Sequence, residues 1–188
     1  MKASGLILLI PNKPDAERDA LADAWEQHDG QVLRLGRFWD PPKLDAKHVR
    51  VYGSTSFVLV LQKKLGFDLC TPPDDLILSL PSECLKRWIQ KQSLQEAEHF
   101  PYPLFVKPII PKLFGARVYA NAAAAEFACS PVLPRTLVLD IGLIKDQGWA
   151  VVEINAAWGS GLNGCRAERV WPCIVAASGP QSDKPFAR

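Results

Sequence analysis

The stretch that most restricts how this chain can fold is a pair of apolar runs joined by a polar turn. Leu137-Val138-Leu139-Asp140-Ile141-Gly142-Leu143-Ile144 reads as one strand and Lys145-Asp146-Gln147-Gly148 as the turn. Trp149-Ala150-Val151-Val152-Glu153-Ile154-Asn155 reads as the returning strand. A loop of those four turn residues pairs Ile144 with Trp149, and counting back sets Asp140 directly across from Glu153. Period-two alternation puts Asn155 on the face of Glu153, about 7 Å further along. Two carboxylates opposed on adjacent strands repel one another. A divalent cation removes that cost, and Asp140, Glu153 and Asn155 are hard oxygen donors of the kind Mg²⁺ takes with phosphate and water. The alternative is an acidic, solvated face on an amphipathic hairpin, against which stand the otherwise apolar strands.

Past Asn155 the chain runs Ala156-Ala157-Trp158-Gly159-Ser160-Gly161-Leu162-Asn163-Gly164-Cys165, then a helical pattern over Ala167–Ala177. Glycines between a strand and a helix can bring backbone N–H groups up to phosphate, which makes Gly159, Ser160 and Gly161 candidate contacts. The spacing is neither a Walker loop nor a dinucleotide fingerprint, and a tight strand-to-helix connection explains it equally well. Lys107 closes the apolar run Phe105-Val106-Lys107-Pro108, with Lys112 beyond a proline-stiffened loop and Arg87 on an expected helix, Glu83–Ile89. Each suits a phosphate as a point charge and each also reads as an ordinary surface cation. Trp158 is open to three roles: lid, stacking platform or core. His28, His48 and His99 form no cluster, and Ser54 and Ser160 lack a paired base.

The first third alternates strands with helices: Gly5–Ile10, helix Asp15–His28 ended by Gly30, then strands Gln31–Leu35 and His48–Tyr52. A helix over Ser56–Leu65, closed by Gly66, leads to a fourth strand at Phe67–Cys70. That order implies a small parallel sheet. Pro72-Pro73-Asp74-Asp75 marks a boundary. Beyond it come short helices at Asp75–Ser79 and Glu83–Ile89, the polar stretch Ser93–Glu98, strands at Leu104–Pro108 and Ala116–Tyr119, and a helix over Ala122–Cys129. The expected division is a domain at 1–72, a second at 73–178 and a flexible polar tail at 179–188.

With 48% hydrophobic residues the chain can bury a core. A net charge of +2 with interspersed signs gives no basic stripe for nucleic acid. The apolar runs Leu6–Pro11 and Phe57–Leu61 are strand-length, far short of a membrane span. The first of them is expected to be a buried strand rather than a leader. Five scattered cysteines without a CxxC pair suit free thiols in a reducing cytoplasm.

Phe105-Val106-Lys107-Pro108, Leu139-Asp140-Ile141-Gly142 and Val152-Glu153-Ile154-Asn155-Ala156-Ala157-Trp158-Gly159-Ser160-Gly161, in this order, resemble a small, uncharacterised ATP-grasp family. Leu80-Pro81 with Leu85-Lys86-Arg87 resembles the helix before that family's lysine strand. The N-terminal alternation resembles its pre-ATP-grasp domain. The resemblance implies an α/β fold, α+β in its C-terminal part: a pre-ATP-grasp-like domain, then a shortened ATP-grasp-like domain with an antiparallel metal-binding hairpin. It implies Mg²⁺ on Asp140, Glu153 and Asn155, ATP phosphates on Lys107, and a carboxylate–amine ligase acting through an acyl-phosphate on a small-molecule or peptide carboxylate. Two departures stand out. The interval from Lys112 to Asp140 is too short for the family's central strands, which supply the adenine hinge, so Tyr119-Ala120-Asn121 reads as a junction left by a natural internal deletion, a degenerate copy or a gene-model artefact. Arg166 stands where an acid is usual. The opposing readings are therefore an active ligase and a non-catalytic remnant, with an unrelated nucleotide- or sugar-binding α/β domain as a third.

Overall fold

The computed structural model describes residues 2–90, 133–134 and 136–180. The opening aliphatic run becomes β1 (Ile7–Pro11), the centre of a parallel sheet ordered β2-β1-β3, with β2 at Gln31–Leu35 and β3 at Val49–Val51. Leu8, Leu9 and Ile10 are fully buried. A strand paired on both edges and covered on both faces needs such a continuous apolar run. Helix α1 (Ala16–Glu26) starts where the Asp15 side chain accepts the Arg18 N–H at 2.9 Å. Helix α2 (Thr55–Leu65) is capped by Ser54 and closed by Gly66 at φ 71°.

Three local expectations give way. The left-handed residue after α1 is Asp29, at φ 65°, not Gly30. Gly30 is small for another reason: a Cβ there would collide with the Trp25 indole. The fourth strand, β4 (Phe67–Leu69), does not join the parallel sheet; it pairs antiparallel with β7 (Ser178–Pro180). Gly179 and Pro180, expected to begin a frayed tail, are therefore held in a ladder against Asp68 and Phe67. The helix expected at Glu83–Ile89 is the single turn α3 (Ser82–Leu85), because Lys86 turns left-handed at φ 52°. Arg87 thus lies beyond the helix. Between β4 and α3 runs a 3-10 turn, Leu76–Ser79. The elements expected within residues 93–129, with Lys107, Lys112 and Cys129, lie outside the described residues, as do residues 181–188.

The hairpin consists of β5 (Val138–Ile144) and β6 (Gly148–Asn155), and helix α4 (Ala167–Ala177) follows the glycine loop. One face of the hairpin, through Leu139, Val151 and Ile154, packs on Ile77, Leu80 and Leu85. The main core is shared along the chain: Leu9, Trp25 and Phe57 belong to one cluster with Trp158, Leu162, Trp171 and Ile174. Hydrogen bonds tie the end of α4 to the sheet. Arg50 Nε donates to Val175 O at 2.8 Å, Val51 N–H to Ser178 Oγ at 3.2 Å, and Cys70 N–H to Ala177 O at 2.8 Å. Cys70, Cys84, Cys165 and Cys173 carry free thiols. Among the described residues, no helix is long and apolar enough to cross a membrane.

Candidate functional site: the acidic hairpin

The two strands meet in a register that no single count from the turn produces. The connection is one residue shorter than the sequence suggests, so Ile144 pairs with Gly148, Leu143 with Trp149 and Ile141 with Val151. Continued unbroken, that ladder would set Asp140 across from Val152. A β-bulge between Asp140 and Ile141 leaves Val152 as the extra residue, and beyond it Asp140 pairs with Glu153, Leu139 with Ile154 and Val138 with Asn155. The bulge also reverses the facing of β6. Val151 turns to the apolar packing on α3, while Glu153 and Asn155 turn to the face of Asp140. The expected Asp140–Glu153 pair forms through two departures that cancel.

Two features hold the bulge. Arg87 Nη1 donates to Val151 O at 2.7 Å and to Leu85 O at 3.0 Å, and its Nη2 donates to Val152 O at 3.2 Å. The carbonyls of the disrupted ladder thus find a cationic donor. Burial lowers the pKa of Arg87 from the usual guanidinium value, and a guanidinium stays charged in proteins. Across the hairpin, a Cβ on Gly142 would stand 2.9 Å from Val152 Cγ2, so glycine leaves room for the displaced valine. The guanidinium of Arg87, read from sequence as a phosphate contact, is spent on the β6 backbone.

Asp140 is 4% exposed, an unusual setting for a carboxylate. Asn155 Nδ2 donates to Asp140 Oδ2 at 3.3 Å, which turns the amide oxygen away from that carboxylate. Glu153 is half-buried beside them. No group of three or more His, Cys, Asp or Glu able to hold a metal exists among the described residues. Two carboxylates and one amide do not make a self-sufficient cage; they match the partial protein shell of Mg²⁺, which is completed by phosphate and water.

Several donors of the glycine loop turn inward. Gly159 N–H donates to Ala156 O at 3.1 Å and Ser160 Oγ to Ala156 O at 2.8 Å. Trp158 is core, 6% exposed, with its indole N–H on Thr71 Oγ1 at 3.2 Å. The loop also covers the C-terminal ends of β1 and β3, where open α/β sheets usually hold ligands. There Gly53 N–H donates to Trp158 O at 3.1 Å, and the Glu17 carboxylate accepts from Leu162 and Asn163 N–H, both at 2.8 Å. An N-terminal nucleotide or sugar site, the third reading of the sequence, would have to displace this packing.

Tyr52, at the end of β3, has its phenol pKa pushed well above the usual 10 by burial and then by the Glu17 and Asp15 carboxylates, with Arg18 opposing. The native chain therefore keeps a proton that the unfolded chain releases above about pH 10. This contribution is fully present below that pH and is lost as pH rises beyond it. In urea unfolding compared at about pH 8 and pH 11, Tyr52→Phe should lose less stability on the alkaline step than the parent. Equal losses would contradict the assignment.

A parallel sheet joined to an acid-bearing antiparallel hairpin is an architecture compatible with a mixed α/β protein of the ATP-grasp type. Residues 120–173 match the family model described as the ATP-grasp domain, R2K clade family 2. Over that segment, under a third of the chain, the protein is similar to ATP-grasp domains. The match begins where the resemblance sets the junction, and it contains Asp140, Glu153, Asn155 and Gly159–Gly161 but not Arg87, Lys107 or Lys112. No curated protein and no solved structure matches the chain.

Proposed function

We propose that the β5–β6 hairpin holds Mg²⁺ with ATP, and that the protein acts in the manner of ATP-grasp carboxylate–amine ligases, through an acyl-phosphate. The observation that carries this is the cross-strand pair of Asp140 and Glu153, with the Asn155 amide on Asp140, inside the segment that matches the family. Asp140 and Glu153 would supply carboxylate oxygens, and Asn155, its amide turned over from the bond it makes to Asp140, would supply its oxygen. Bound Mg²⁺ would neutralise phosphate charge, the main catalytic need in phosphoryl transfer. The chain's own part is positioning. The bulge sets the two acids face to face, Arg87 fixes the bulge, and Lys107 with Lys112 would approach the phosphates from the segment before the match. The substrate class is a small-molecule or peptide carboxylate.

A second reading, a remnant that binds without turnover, is favoured by one observation: the family match starts only at residue 120. Calorimetry of Mg²⁺-ATP against parent and Glu153→Ala tests the site. The binding heat should vanish in the variant, and superimposable titrations would remove the metal assignment. ADP release over a panel of pooled amino acids and peptides separates the ligase from the remnant.

A further inference from the structure

Glu17 sits in the first turn of α1, where an acid commonly complements the helix dipole. Its carboxylate does something more specific. Oε2 accepts the Leu162 N–H and Oε1 the Asn163 N–H, each at 2.8 Å, across 145 residues of sequence in the first case. Two successive donors converge on one carboxylate, and the loop then turns left-handed at Asn163 (φ 48°) and Gly164 (φ 85°). A Cβ at Gly161 would stand 2.9 Å from Glu17 Oε2, so glycine leaves the carboxylate room at this depth. The neighbouring acid, Asp15, does not compete, since it caps α1 and pairs with Arg18 Nη2 at 3.2 Å.

We infer that the loop around Gly161–Gly164 is a carboxylate-binding nest, filled in the native chain by Glu17 and open to a small free carboxylate once that side chain is removed. A planar head with two oxygens matches two adjacent N–H groups, and formate is the smallest such ligand. The inference is independent of the nucleotide reading, because it concerns how the loop after Asn155 is fastened to α1.

The test uses the full chain and its thermal midpoint. Glu17→Ala should melt about 4–10 °C below the parent, the scale expected for losing charge-assisted hydrogen bonds in a domain of this size. Sodium formate should restore most of that drop with saturation, while sodium chloride at equal ionic strength restores none and the parent is unmoved. In the Glu17→Ala, Gly161→Ala double variant formate should have no effect, because the added Cβ fills the nest. An unchanged midpoint in Glu17→Ala, or formate raising parent and both variants alike, would overturn the assignment. Should Glu17→Ala fail to fold, Glu17→Gln serves: its NH₂ opposes a backbone N–H, so a midpoint equal to the parent's would also overturn it.

Discussion

Arg87→Ala should melt about 4–12 °C below the parent without any ligand present, and should lose Mg²⁺-ATP binding by at least about tenfold. The stability loss follows from stranding the carbonyls of Val151 and Val152 at the bulge, where hydrogen bonds to a charged donor contribute about 2–3 kcal/mol in total for a half-buried group. The binding loss follows from register. Without the clamp, the ladder running from Ile144–Gly148 is free to continue unbroken, and Asp140 then faces Val152 instead of Glu153. A guanidinium serving only as a phosphate contact predicts something else: weaker binding with an unchanged midpoint in the ligand-free protein. Arg87→Lys should fall between, because an ammonium cannot bridge adjacent carbonyls as a planar fork does. Interstrand NOEs between Asp140 and Glu153, present in the parent and absent in Arg87→Ala, would report the slip directly. A variant that melts like the parent and binds like it would rule out the clamp.

The hairpin shows how far the sequence could be read and where it stopped. Alternation was enough to put Glu153 and Asn155 on one face, whereas the pairing of Asp140 with Glu153 came from a count across the turn whose two errors, a shorter loop and a bulge, cancel. The bulge was not legible. It depends on Arg87 and Gly142, residues whose roles exist only once the strands are packed. The N-terminal sheet was legible in β1 because a buried parallel strand is continuously aliphatic, and in β2 and β3 from the alternation of strand and helix signals around them. The partner of β4 was not, since Ser178-Gly179-Pro180 carries no strand signal and is recruited by proximity. Gly30 reads from sequence as a helix stop and Gly161 as a phosphate contact or part of a tight connection, yet each makes room for a side chain, Trp25 in one case and Glu17 in the other. Glu17 itself carries no sequence mark beyond that of a first-turn acid. Trp158, with three open roles in sequence, is decided by its burial beside Thr71.

Trp171→Ala should cost about 3–5 kcal/mol, the usual range for deleting a buried aromatic, and should lower the melting midpoint by about 6–20 °C. Trp171 is 3% exposed. It meets Trp25 edge-on at 6.1 Å between ring centroids and stacks on His28 at 4.3 Å. Both partners come from α1 and the turn after it, so the cavity would open between the first and last parts of the chain. Because Leu9, Trp25, Trp171 and Ile174 form one cluster, that damage should spread through a single cooperative transition. The same sharing predicts that residues 1–72 expressed alone will not fold, since α4 supplies one wall of their core. Circular dichroism and tryptophan fluorescence should therefore melt together in parent and variant, with the variant's curve shifted and still single. Two separated transitions, or a shift below about 4 °C (under 2 kcal/mol at this size), would mean that the sheet stands without α4. The hairpin and glycine loop would then lose one of their anchors, because α4 joins the Glu17 and Gly53 contacts and the Trp158 and Leu162 packing in connecting them to the parallel sheet.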